Sequence, residues 1–385
     1  MKKILLIIIL FLLTGCYDYK ELNQIAIIGA TSIDKKDNNY VVKIQVINPQ
    51  NVKEATSNNN TSFVVYEGIS DNLQEAYRKI TNYSPRFTYS DHMQVLFLSE
   101  NILRDDFSEV MDFLMRNPSV RNDFYVLIEQ FGNDIIELTT PISQISATSI
   151  KSSLENNSKH YGISQIVNFN DFATMYLNPN KEIVLPSIKL IGDINLGQDM
   201  KNTTESSDYV KYELSTLGVF KDNKLIGYLT NEEALAYNFI MNKIDTAIIS
   251  YQCDTNKNVV VNIENSKTDI KVKKNKIKIN VVSSGNLIEI GCDLEMDKKT
   301  IKNIENSISE KIKNNLINSI NNTISKYNSD IYGFLDLYYK NDYKYYDKIK
   351  NNYYDDIFKN LDISINVKTT IPREGTILEV LNEKN

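Results

Sequence analysis

Cys16 is the residue whose surroundings specify a reaction. Lys2 and Lys3 open the chain with positive charge, residues 4–13 form an unbroken apolar run, and Leu13-Thr14-Gly15 lead directly into the cysteine. That order is the pattern of a lipoprotein signal peptide spanning 1–15. Its removal would leave the Cys16 thiol at the start of the mature chain, ready to carry a diacylglycerol as a thioether. The apolar run is too short to cross a bilayer comfortably as a helix, which favours a cleaved signal over a transmembrane anchor. Two or three acyl chains, each gaining about 0.8 kcal/mol per buried CH₂, hold a protein far more firmly than one does. Cys16 is therefore the expected lipidation site, and the mature chain is expected to be tethered outside the cytoplasm.

Other reactive constellations are sparse. After Cys16 only Cys253 and Cys292 remain. Both fall in strand-like runs, where one disulfide or two small buried thiols would fit. The histidines are His92 and His160, with no metal-type spacing around them, and no two of the 13 glycines form a Gly-x-Gly phosphate loop. Ser32-Ile33-Asp34-Lys35, Ser70-Asp71-Asn72 and Lys368-Thr369-Thr370 imitate in order the three motifs of penicillin-binding proteins. That chemistry needs the first Ser and Lys one helical turn apart in a cleft. Here they fall at a hairpin turn, the second element reads as a helix cap, and the third lacks its glycine. No catalytic residue, cofactor or metal is expected, and the chain does not read as an enzyme.

The elements that would hold these residues alternate between strand and helix. Residues 25–33 and 40–47 read as a hairpin about the polar turn 34–39, and 63–66 as a third strand. Ser70 or Asp71 is placed to cap a helix carrying Leu73, Ala76, Tyr77 and Ile80 on one face. A strand at 93–98, an amphipathic helix at 105–115 ending near Pro118, and strands at 124–128 and 183–191 follow. A hairpin at 211–220 and 224–229 turns through Asp222-Asn223, and Asn231 is placed to cap the next helix. Four strand-like runs then extend to Met296. Ile301, Ile304, Ile308, Ile312, Leu316, Ile320 and Ile324 recur at three- and four-residue spacing, one apolar stripe on a long helix. A tyrosine-rich helical stretch over 331–358 and a strand over 361–369 close the pattern. The tyrosines could line an interface or pack on the C-terminal sheet, and the pattern favours packing.

These patterns predict a multi-domain α+β fold of mixed and antiparallel sheets with packed helices, the long amphipathic helix lying against an antiparallel C-terminal sheet. The polar stretch 198–208 reads as a linker between an N-terminal α+β region, 16–197, possibly built of two subdomains, and a C-terminal α+β domain, 209–385. The 385 residues are 42% hydrophobic and 24% charged, ordinary globular values. The formal net charge of −6 becomes −8 once Lys2 and Lys3 leave with the signal. That balance argues against nucleic acid and against broad adhesion to anionic lipid. Locally, residues 270–280 carry five lysines (Lys271, Lys273, Lys274, Lys276, Lys278), which could form a patch for anionic headgroups or an acidic partner but read better as the solvated face of a hairpin.

Several segments together resemble the Ger(x)C family, the lipoprotein C subunits of spore germinant receptors. They are Cys16-Tyr17-Asp18-Tyr19-Lys20-Glu21-Leu22, then 25–49, 86–102 with 112–128, the hairpin 214–234, and the closing 365–377. Tyr stands where the family has Trp near the start, and Asn117 where it favours Asp. The resemblance implies a non-enzymatic subunit on the outer face of the spore inner membrane. It would be held by its N-terminal lipid beside integral-membrane A- and B-type receptor subunits that detect nutrients. Arg86, His92, Arg116 and Arg121 match family positions and are expected to be structural. The competing expectation is a solute-binding lipoprotein of an ABC-type importer, a class that favours parallel sheets around a cleft, whereas these strands read as hairpins.

Overall fold

The structure, a computed structural model, describes residues 24–48, 61–117, 121–132, 134–143, 145–199, 201–204 and 210–372. Cys16 and Pro118 lie outside the described residues. β1 (Ile25–Lys36) and β2 (Asn39–Ile47) form the expected hairpin. Asp37 and Asn38 turn it at φ 48° and 64°, the left-handed pair that a two-residue type I′ turn requires. β3 (Phe63–Ser70) pairs next to β2 and leads to α1 (Leu73–Lys79). Its cap is Asn72 rather than Ser70 or Asp71, because β3 keeps the chain extended through Ser70. The Asn72 side chain accepts from the Glu75 N–H at 2.8 Å.

Beyond a 3₁₀ turn (Ile80–Asn82) come β4 (Phe87–Tyr89), β5 (Val95–Ser99), α2 (Glu100–Arg104) and α3 (Ser108–Arg116). β6 (Tyr125–Gln130) follows, then a second 3₁₀ turn (Ile135–Glu137), α4 (Ser146–His160), α5 (Phe169–Leu177) and β7 (Val184–Ile191). The short α6 (Ile194–Gly197) and α7 (Lys201–Thr204) precede β8 (Lys211–Lys221) and β9 (Lys224–Tyr228). Among the described residues the first sheet runs β3-β2-β1-β5-β6-β7-β8-β9, with β4 also on β1. Its centre, β1, β5, β6 and β7, is parallel. Helical connections from β5 to β6 and from β6 to β7 make that possible, where a pure hairpin reading does not. α1, α2, α3 and α5 cover one face, and α4 with the second 3₁₀ turn covers the other.

The sheet does not stop at the expected linker. β7 and β8 pair antiparallel from Val184↔Val219 to Ile191↔Lys211, so strands on either side of 198–208 are neighbours. Part of that stretch is pinned: fully buried Asn202 donates to the carbonyls of Thr139 and Val210 and accepts from the Val210 N–H. Hydrogen bonding therefore carries β8 and β9 into the first sheet.

α8 (Asn231–Ile240) starts at Thr230, not Asn231, with a reciprocal capping box to Glu233. β10 (Ala247–Asp254), β11 (Lys257–Lys273) and β12 (Lys276–Ile290) form an antiparallel meander, where four strand-like runs were expected. β13 (Asp362–Thr370) joins β12 in parallel. α9 (Lys298–Asn322) packs along this second sheet. Ile304, Ile308, Ile312, Leu316 and Ile320 are all buried against Val261, Ile263, Ile279 and Val281. The α+β architecture with a long helix on the C-terminal sheet is as the apolar stripe predicts. The tyrosine-rich stretch is not one helix. It breaks into α10 (Phe334–Asn341), α11 (Tyr343–Ile349), a π turn (Tyr353–Ile357) and a 3₁₀ turn (Phe358–Asn360).

Candidate functional site

Two buried polar clusters stand out. The first lies toward the carboxyl ends of the parallel strands, where Lys43 and Glu129 are the only charged residues of β2 and β6. Lys43 reaches Asp134 at 2.8 Å and Glu137 at 2.5 Å. Burial opposes its charge, but hydrogen bonds to these two carboxylates outweigh that and raise its pKa. Glu129 accepts from the Ile135 N–H at 2.8 Å, and burial pushes its carboxyl up to about 8. Asp34, fully buried, accepts from the Ser99 hydroxyl. A carboxyl protonated near neutrality can serve as an acid only where substrate reaches it. Glu129 is 2% exposed and lines none of the four grooves below. The cluster, with Gln45 donating to the Ile136 carbonyl at 2.9 Å, instead fastens the second 3₁₀ turn to the sheet.

The second cluster joins the two halves. The β8–β9 hairpin turns through Asp222 and Asn223 at φ 50° and 60°. Lys221 Nζ lies 2.8 Å from Glu182 and 3.1 Å from the centre of the Tyr354 ring. The Tyr354 hydroxyl and the Asp222 N–H donate to the same Glu182 carboxylate, at 3.0 and 3.1 Å. Phe220 is buried edge-on to Phe107, and its carbonyl accepts from Ser329. A Cβ on Gly227 would sit 2.6 Å from the Tyr327 ring, so any larger residue would push that ring aside. Asp330 holds the start of α10: it accepts from Phe334 and Leu335 N–H groups at 3.0 and 2.8 Å and from the Tyr353 hydroxyl at 2.9 Å. Burial lifts its carboxyl to about 6 against those donors. Tyr338 and Tyr353 are core residues, while Tyr339 and Tyr343 stay largely exposed. Tyr346 and Tyr354 therefore reach the first half through Asn180 and Glu182, while α10, with buried Tyr338, packs on β11 of the second sheet.

Among the described residues, the surface offers open grooves. One of about 580 Å³ is polar, with Glu264, Lys267, Ser284 and Thr370. Another, about 750 Å³, is lined by Leu73, Met111, Phe113, Met115, Tyr176 and Leu177 between α1, α3 and α5. Two smaller ones, about 200 and 210 Å³, lie beside α8 and beside the start of β1. The imitated penicillin-binding motifs do not converge: Ser32 and Lys35 lie three apart on a strand and face opposite sides, and Lys368-Thr369-Thr370 belongs to the other sheet. Among the described residues no group of three or more His, Cys, Asp and Glu is placed to hold a metal, and no helix is long and apolar enough to cross a membrane.

Cys253 and Cys292 are brought together as a disulfide, their Cα atoms 6.4 Å apart. The lysine-rich segment is a hairpin, Lys273 opposite Lys276, with its isoleucines inward. Arg86, His92, Arg116 and Arg121 are not framework residues. All four are exposed, His92 near the Tyr89 ring and Arg116 paired with Asp112 at 2.6 Å. The loops entering β4, β5 and β6 and the end of α3 carry them at the surface.

The description "Spore germination protein N-terminal domain" matches residues 18–190, and "Spore germination B3/GerAC like, C-terminal" matches residues 215–375. The chain belongs to the GerAC- and GerBC-like family of spore germination C subunits. Spore germination protein KC of Bacillus subtilis (strain 168) is 26% identical over 97% of this chain and 95% of its own length. Spore germination protein B3 of the same organism is 23% identical over 96% of each. The crystal structure of the GerBC protein shares the fold, with a TM-score of 0.53 and 18% identity over 89% of this chain and 97% of that one. Within this family the Phe220-to-Gly227 hairpin has a physical reading, since each of Phe220, Lys221, Leu225 and Gly227 packs at or beside the junction.

Proposed function

We propose that this chain is a lipid-anchored, non-enzymatic subunit of a nutrient germinant receptor. It would sit on the outer face of the spore inner membrane and act by assembly with integral-membrane A- and B-type subunits. The observation that carries the reading is one of position: the family match begins at residue 18, two residues after the cysteine of a lipoprotein signal. A signal that ends where the family's domain starts is what cleavage before Cys16 and lipidation of its thiol require. Extracytoplasmic placement also permits the Cys253–Cys292 bridge to persist in the mature protein. Open grooves and an interlocked core suit a subunit that works through its surface.

The importer reading gains something from the parallel centre of the first sheet, but the family match speaks for the receptor. Affinity capture of the tagged protein from detergent-solubilised spore membranes tests the proposal. Recovery with two integral-membrane proteins of receptor type is expected. Recovery with a permease and an ATPase instead would replace it with the importer reading.

A further inference from the structure

We propose that the end of the first sheet where β1 begins lies on the phospholipid bilayer, with Tyr83, Arg86 and Phe87 seated at the level of the headgroups. This rests on the reading of Cys16 as the lipid anchor. Nine peptide steps separate Cys16 from Ile25. Fully extended, they reach about 30 Å, an upper limit for any path they take. β1 is 12 residues long, which at roughly 3.3 Å per residue is about 40 Å. Were the molecule upright on its opposite end, the Asp37–Asn38 turn, Ile25 would stand farther from the lipid than the tether can reach. The anchor therefore rules out that pose and holds Ile25 within about 30 Å of the membrane.

What that end displays fits a phospholipid surface. Ile25 pairs in register with Phe87. Tyr83 is 69% exposed, Phe87 56% and Val64 44%. Single exposed apolar side chains are ordinary, but Phe87 and Val64 lie on strands paired at this end of the sheet, and Tyr83 adjoins Ser84, which lines the groove there. Arg86 lines the groove of about 210 Å³ with Ala26, Val46, Val64 and Pro85. Its guanidinium makes no ion pair among the described residues. A tyrosine with an apolar ring and polar tip, and an arginine with a long stem and a phosphate-binding fork, both suit the headgroup layer. The chain's overall negative charge leaves such contact to local groups.

The test uses the full lipidated protein in phosphatidylcholine–phosphatidylglycerol vesicles that contain nitroxide-labelled lipid. A fluorophore is placed by Tyr83→Cys in one variant and Asp37→Cys in another, with the unsubstituted protein labelled as control. Tyr83 is mostly exposed, so its replacement leaves the core intact. Quenching several-fold stronger at position 83 than at 37 is expected. Equal quenching, or stronger quenching at 37, in protein that floats with the vesicles would overturn the membrane face while leaving the anchor in place. Protein that fails to float would overturn the anchor reading and this inference with it.

Discussion

At Glu129 the fold holds a proton that water would remove. Burial raises its pKa from 4.5 to about 8, against the N–H groups of Ile135 and Asp134 that favour the charged form. The folded chain keeps that proton up to about pH 8, whereas the unfolded chain loses it near 4.5. The contribution is therefore present at low pH and declines as pH rises through this window. Glu129→Gln cannot ionise, so wild type should lose stability relative to it between pH 5 and 9, on the order of a few kcal/mol. Parallel melting curves for the two proteins would contradict that. At the junction, Lys221→Ala strands a nearly buried Glu182 carboxylate and should cost about 2–3 kcal/mol in chemical denaturation. A cost below about 0.5 kcal/mol would mark the pair as a surface contact. Lys43 and Glu129 carried a readable signal, each the only charged residue of its strand. Asp330 and Glu182 carried none, because their partners come from elements distant in the chain.

Element by element, legibility followed periodicity. α9 was readable from its isoleucine stripe because a long helix on one sheet buries one regular face. Leu316→Ala should cost about 2–5 kcal/mol, while Asn314→Ala on the exposed side should stay within about 0.5 kcal/mol. Similar losses for both would contradict the assigned face. The tyrosine-rich stretch misled because a tyrosine tolerates both core and surface, so it marks no face. Gly333, at φ 71°, and Asp342 divide the stretch at points that a 3.6-residue period does not reveal. Helix caps moved by one or two residues, to Asn72 and Thr230, since any of several neighbouring polar side chains can cap and the strand's end decides which does. The Cys253–Cys292 bridge closes a loop of sequence separation 39. Cys292→Ser should then lower stability by about 4 kcal/mol under oxidising conditions and by little under reducing ones.

For the molecule as a whole, the α+β class and the family were readable because ordered local segments carry them. The parallel pairing of β13 on β12 and the reach of β8 and β9 into the first sheet were not, since strand order depends on contacts far apart in sequence. Residues 16–208 and 209–385 produced as separate chains should be insoluble alone and should co-purify when expressed together, because β7 and β8 pair across the cut. Two independently soluble, non-associating pieces would contradict the shared sheet. On the proposed reading, this subunit works only where its lipid holds it. Cys16→Ala spores test it most directly, with membrane fractionation and nutrient-triggered germination measured on the same preparation. The protein is expected to leave the inner-membrane fraction and germination to slow markedly; a protein released from the membrane with germination at the wild-type rate would rule out a lipid-dependent role.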